Sequence, residues 1–499
     1  MRSIVLKSVL LISILVGLNA ASCQPKTLTI LHTNDMHASF IPHEAYWIRI
    51  TPKPMVGGFK ELYFTVDSIR KALPATLLLD AGDVMTGNPI TERKYEDVYG
   101  GALFQMMNMI GYDAWCPGNH DFDVSQENLA GLISIATFPT VCANLLPEKG
   151  LASLGAKPYV ILDCGGVRVG IIGIISQDLY GLVNQNNLVG IKVLSPSETV
   201  QKYVDELMPQ TDLLIALTHQ GFDMDSLMAT EVKHLDIIVG GHSHTRLRQP
   251  RLVNGIVIVQ TGSNCENLGE LTVTVEGHHI THFAGHLDQL WVRPDRPPNT
   301  LTAMVDSVQE IIDKDYSEVI GTLGDDWIRR SGPNGMGTFI TEAQREAAAA
   351  DIGFMNDHGI RKDLRAGPMT KRDLFEILPF RNILVTFELS GRQVRDVLRY
   401  YVEHHPAIQI TGLSAEWKRS PAGDVTFTKA EVAGKALEDD HMYKCAASDY
   451  FVGEALHYIG IEIPRPIFLR QTLFEAVEKA VRDAQVIRNS VPYGLTEVK

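Results

Sequence analysis

The sequence predicts an α/β fold in two domains, and three observations carry that prediction. The chain has 499 residues, more than one hydrophobic core organises, so two domains are expected. From Thr27 to about Gln289, short apolar runs alternate with polar, Gly-rich turns and helical stretches, the pattern of α/β layering. The apolar runs also end on Asp, Asn or His, as they do where ligands sit beyond the strand edge of a sheet.

Residues 1–22 read as a secretory leader. Arg2 and Lys7 precede the apolar run Val9 to Leu18, and Ala20-Ala21-Ser22 supplies a small-residue cleavage region. The mature chain is therefore expected in the periplasm or at the cell surface. Cys23 stands where bacterial lipoproteins carry their acylated cysteine, with Ala20 in place of the usual Leu; membrane attachment through Cys23 and simple release are both open. No later run approaches transmembrane length. The other cysteines, Cys116, Cys142, Cys164, Cys265 and Cys445, are odd in number and form no CxxC, which argues against a structural zinc ribbon. A net charge of -14 argues against nucleic-acid polymers and anionic membranes as partners. An anionic small substrate would need local cations, and metal ions are one source.

Five runs carry the chemistry. Leu28-Thr29-Ile30-Leu31 leads through His32-Thr33-Asn34 to Asp35 and His37, which lie two apart and so project to one side of an extended segment. Thr76-Leu77-Leu78-Leu79 runs into Asp80-Ala81-Gly82-Asp83, and Tyr112-Asp113-Ala114-Trp115 into Cys116-Pro117-Gly118-Asn119. Leu213 to Leu217 ends on Thr218-His219, and Ile237-Ile238-Val239 on Gly240-Gly241-His242-Ser243-His244. Two divalent cations about 3.5 to 4 Å apart need a bridging carboxylate and several terminal ligands. Asp35, His37, Asp83, Asn119, His219, His242 and His244 form such a set, with Asp83 as the natural bridge. Any one of them alone reads as an ordinary surface or core residue; their recurrence at five run ends does not.

The segments ILHTNDMHASF, LLLDAGDVMTGNP, GYDAWCPGNHDFD, LLIALTHQGFDMD and DIIVGGHSHT resemble the successive blocks of the calcineurin-like metallophosphoesterases, specifically the secreted 5'-nucleotidase family. Gly57-Gly58 also falls where that family has a Gly pair. The resemblance implies a four-layer α/β/β/α metallophosphoesterase sandwich over residues 27–290. It implies one metal held by Asp35, His37, Asp83 and His244 and another by Asp83, Asn119, His219 and His242, with manganese, zinc and cobalt all open. It also makes His120 and Asp123 a catalytic pair, in which an imidazole held by a carboxylate stays protonated and stabilises charge on a phosphoryl or leaving oxygen. The alternative for Asp123 is a cap on the helix that follows.

Beyond Pro294, Pro297 and Pro298, the residues Leu301, Met304, Val305, Val308, Ile311 and Ile312 recur at helical spacing. They predict a linker helix within 291–320, capped by Asn299 or Thr300. A second, smaller α/β domain is expected over 321–499, with helices opening at Thr370 and, in a capping box with Glu475, at Thr472. Its segments Asn356-Asp357-His358-Gly359-Ile360-Arg361, Ile377 to Asn382 and Ser448-Asp449-Tyr450-Phe451 resemble the substrate-binding segments of the family's C-terminal domain. That resemblance nominates Asn356, Arg361, Phe380 and Tyr450, the two rings enclosing a base; on the residues alone, Phe380 and Tyr450 read as core. The family's Gly-Gly-Asp after the second ring is missing. Glu454 lies nearby, Thr338 replaces an Asn, and Arg329 and Arg330 stand near an expected arginine.

The expected activity is removal of the 5'-phosphate from small nucleotides by a dimetal phosphohydrolase. Cyclic-nucleotide phosphodiesterases and thiosulfohydrolases share the scaffold and are the enzymatic alternatives. A nucleotide-binding lipoprotein without turnover is the third reading, and its signature would be lost ligands.

Overall fold

The computed structural model describes residues 25–330, 333–420 and 422–498, so the leader and Cys23 lie outside the described residues. The N-terminal domain is built on two sheets packed face to face. In the first, the strands lie in the order His279–Gln289, Asn267–Glu276, Lys26–Thr33, Thr76–Asp80, Ala114–Trp115, the last three parallel. In the second the order is Arg251–Val253, Ile256–Val259, Ile237–Gly240, Leu213–His219, Val167–Ile175, Tyr159–Cys164, with the middle four parallel.

Alternation along each strand decides what each face meets. Leu28, Ile30, Leu77 and Leu79 point between the sheets and pack with Val169, Ile171, Ile215 and Val239. Leu31 and Leu78 point outward, into a core with Leu62 and Val66 of the helix Phe59–Ala72 and Phe104 of the helix Gly101–Ile110. On the far side Ile172, Ile174, Leu214 and Ala216 meet Val200 and Val204 of Pro196–Leu207 and Met228 of Phe222–Glu231. The result is helix, sheet, sheet, helix. Strands covered on both faces need apolar residues at nearly every position, which is why they read in the sequence as continuous apolar runs.

Asn299 caps the helix Thr300–Tyr316 by accepting the Thr302 N–H. Leu301, Val305 and Ile312 join the outer core of the N-terminal domain, whereas Ile311 faces solvent. The C-terminal domain is centred on a sheet ordered Ile408–Thr411, Ile352–Asn356, Met442–Ser448, Ile383–Ser390, Ile467–Thr472. Thr370 opens the helix Lys371–Ile377, and Thr472 with Glu475 forms a capping box on Leu473–Ala484. The five described cysteines are free and buried. No helix among the described residues is long and apolar enough to cross a membrane.

Candidate metal centre and substrate cavity

The parallel strands of both sheets deliver the seven nominated ligands to one place. Asp35 Oδ1 lies 3.4 Å from His244 Nε2 and 3.9 Å from His37 Nε2, and Asp83 Oδ2 lies 3.1 Å from His219 Nε2. The ligand atoms fall into two adjacent groups, Asp35 with His37 and His244, and Asp83 with His219 and His242. Asn119 joins the second group, its Oδ1 being 3.0 Å from His242 Nδ1.

The route by which these side chains converge differs from the expected one. The first strand ends at Thr33, and Asp35 and His37 are not extended: both have positive φ, as do Asp83, His242 and His244. Left-handed backbone costs a non-glycine residue about 1 to 2 kcal/mol, and it persists where surrounding contacts over-determine it. Here Asp35 N–H donates to Gly82 O, His37 N–H to Asp83 O and Asn264 N–H to Asp35 O, so each ligand loop fixes its neighbour.

Two residues that sequence reasoning gave no role hold these loops. Asp121 accepts the backbone N–H groups of Asp83, Val84, Met85 and Gly118 at 2.8–3.1 Å. Asn34 donates to Asp35 Oδ2 and to Gly262 O, and accepts from Thr261 N–H and Oγ1–H. Their only sequence signal was position inside the ligand segments.

The imidazoles are arranged as ligands. His219 donates Nδ1–H to Ala81 O at 2.6 Å and His37 donates Nδ1–H to Thr86 O at 3.2 Å, so Nε2 of each is turned into the cluster. Nε2 of His37 and of His244 face each other at 2.9 Å, a separation that suits a shared cation. Burial, with His244 and Arg361 nearby, holds His37 well below the usual imidazole range, and burial beside His219 lowers His242 to about 4. Burial would lower His219 as well, but the carboxylates of Asp83 and Asp35 outweigh it and raise that imidazole to about 10. Asp35 and Asp83 supply the negative charge of the cluster, and its nitrogen and oxygen donors fit divalent transition ions.

His120 Nδ1 is 2.8 Å from Asp123 Oδ2, which also accepts the Thr86 hydroxyl at 2.6 Å. Burial opposes protonation of His120, yet Asp123 and Asp83 together raise it above its usual value. The helix after Asp123 is capped by Ser125, so Asp123 is not its cap.

The cluster opens on a cavity of about 1310 Å³ lined by both domains, including His37, Asp83, His120, Asp123, Asn356, Arg361, Phe380, Tyr450, Glu454 and Arg329. Phe380 is half-buried, its ring 5.5 Å from that of His120 and 5.9 Å from the Arg361 guanidinium. It belongs to none of the apolar clusters among the described residues, contrary to its reading as core. Tyr450 packs one side on the C-terminal core and donates its hydroxyl to Gly181 O at 2.8 Å, across the domain boundary. Asn184 to Asp449 and Gln185 to Glu454 cross it too, at 3.1 and 3.2 Å. Arg329 donates to Arg361 O; Thr338 is buried in a helix and does not line the cavity.

Residues 28–246 match the calcineurin-like phosphoesterase family model and residues 319–458 the 5'-nucleotidase C-terminal domain. A 5'-nucleotidase of Vibrio cholerae is 27% identical over 89% of each chain. The crystal structure of a 5'-nucleotidase precursor from Thermus thermophilus superposes with a TM-score of 0.81 at 25% identity, covering 95% of this chain and 100% of that one. The sulfate thiohydrolase SoxB of Thermus thermophilus shares the fold, at a TM-score of 0.74 and 15% identity over 94% and 96% of the two chains. With both characteristic domains in order and this arrangement of acids and imidazoles between them, the chain belongs to the 5'-nucleotidase family of metal-dependent phosphoesterases.

Proposed function

We propose that the protein removes the 5'-phosphate from small nucleotides outside the cytoplasm, using two divalent cations. The observation that carries this reading is the placement of two ligand groups side by side, Asp35–His37–His244 and Asp83–His219–His242, at the floor of a cavity whose walls include Phe380 and Tyr450. Asp83 would bridge, and Asn119 would complete the second site. When bound, the cations supply Lewis acidity toward the phosphoryl oxygens and a water that loses its proton near neutral pH.

The chain's own groups do the rest. His120, kept protonated by Asp123, donates to a phosphoryl or leaving oxygen as charge develops there. The Arg361 charge acts on His37, His120 and Asp83, which suits it to neutralise phosphate. Phe380 and Tyr450 take the base between them, and Asn356 and Glu454 offer polar contacts to the nucleoside. No expected ligand is lost, which weighs against a binding protein without turnover. The leader argues for a periplasmic or surface location, with lipid attachment through Cys23 and simple release as the two alternatives.

The test titrates metal-free protein with manganese, zinc or cobalt and measures inorganic phosphate from nucleoside monophosphates, ring-opened monophosphate from cyclic nucleotides and sulfate from a thiosulfate ester. Metal-dependent release from nucleoside monophosphates is expected. Turnover confined to either of the other substrates refutes the proposal.

A further inference from the structure

A second group of ligand-type side chains lies away from the cavity, on the edge of the first sheet. Asn267–Glu276 and His279–Gln289 form an antiparallel pair in which Glu270 stands directly opposite His286. Asp288 follows two residues later and so shares the face of His286. One ligand atom from each of Glu270, His286 and Asp288 lies within 4.8 Å of the others, and His286 Nε2 is 3.4 Å from Asp288 Oδ1. None of the three lines the central cavity.

Directly opposed residues of an antiparallel pair hold their Cβ atoms about 4.5 to 5.5 Å apart. The sheet thus fixes the Cβ atoms of Glu270 and His286 opposite each other, and their side chains with that of Asp288 bring the donors together. Two carboxylates and one imidazole meet at this point of the sheet, a donor set whose charge a divalent cation balances.

We propose that Glu270, His286 and Asp288 form a further divalent-cation site, separate from the central cluster. One imidazole nitrogen and two carboxylate oxygens, with water completing the shell, suit zinc or a similar first-row ion. Its place in the fold gives it a consequence. Just beyond Asp288 the chain reaches Leu290, whose carbonyl accepts the Gly57 N–H, and Trp291, which bridges to Val56. A cation at Glu270 and His286 clips the edge strand to its neighbour immediately before that crossing.

The test strips the full mature chain with a chelator, equilibrates it with zinc, removes free metal by gel filtration and measures zinc per chain by mass spectrometry. His286→Ala and Asp288→Asn are each expected to hold one zinc fewer than the unaltered chain, with phosphate release unchanged. The near-isosteric Asp288→Asn guards against a folding defect. Because the readout is a difference, it does not depend on how many ions the central cluster takes. Equal zinc content in the unaltered chain and both variants overturns the proposal.

Discussion

Phe380→Ala separates substrate binding from both chemistry and stability. The ring lines the cavity outside every described apolar cluster, with His120 on one side and the Arg361 guanidinium nearby. If it stacks on the base, its loss removes about 1 to 3 kcal/mol of binding. At about 1.4 kcal/mol per tenfold, KM for a nucleoside monophosphate rises roughly five-fold to a hundred-fold. Stacking stabilises bound substrate and transition state alike, so the change is expected in KM with kcat nearly kept. An aliphatic phosphate ester, which has no ring to stack, is expected to lose almost nothing. A fully buried aromatic costs about 3 to 5 kcal/mol on truncation, whereas this half-exposed ring is expected to leave Tm close to that of the unaltered protein. Steady-state kinetics on both esters and one thermal melt decide the matter. An equal loss on both esters, or a large fall in Tm, refutes the nucleoside pocket.

Three further outcomes are expected. Asp83→Asn should abolish turnover more completely than Asn119→Ala, since a bridging carboxylate serves both ions; comparable residual rates at unchanged metal content count against the bridge. Asp123→Asn removes a charge that helps raise the His120 imidazole. The protonated imidazole then disappears at lower pH, and the alkaline limb of the kcat profile should move to lower pH; an unmoved limb excludes His120 as the proton-bearing group. If Cys23 carries a lipid, Cys23→Ser releases the protein from the membrane fraction, and unchanged fractionation leaves ordinary secretion.

What the sequence determined by itself is what short-range physics controls. The apolar runs at Leu28 to Leu31 and Thr76 to Leu79 marked strands, and Thr370 and the capping box of Thr472 with Glu475 placed helix starts through contacts three residues long. The kinds of ligand were legible because each stands next to its own strand end. The tertiary structure decided the rest. Asp and His adopt positive φ more often than most residues but not at a predictable place, and at Asp35, His37 and His242 hydrogen bonds from neighbouring loops hold the left-handed turns. Asp121 holds the Asp83 loop by bonds to residues 36 to 38 positions away, and Asn184 meets Asp449 across 265. Contacts of that length leave no local pattern, because the residues that make them become neighbours only after both sheets and both domains have packed.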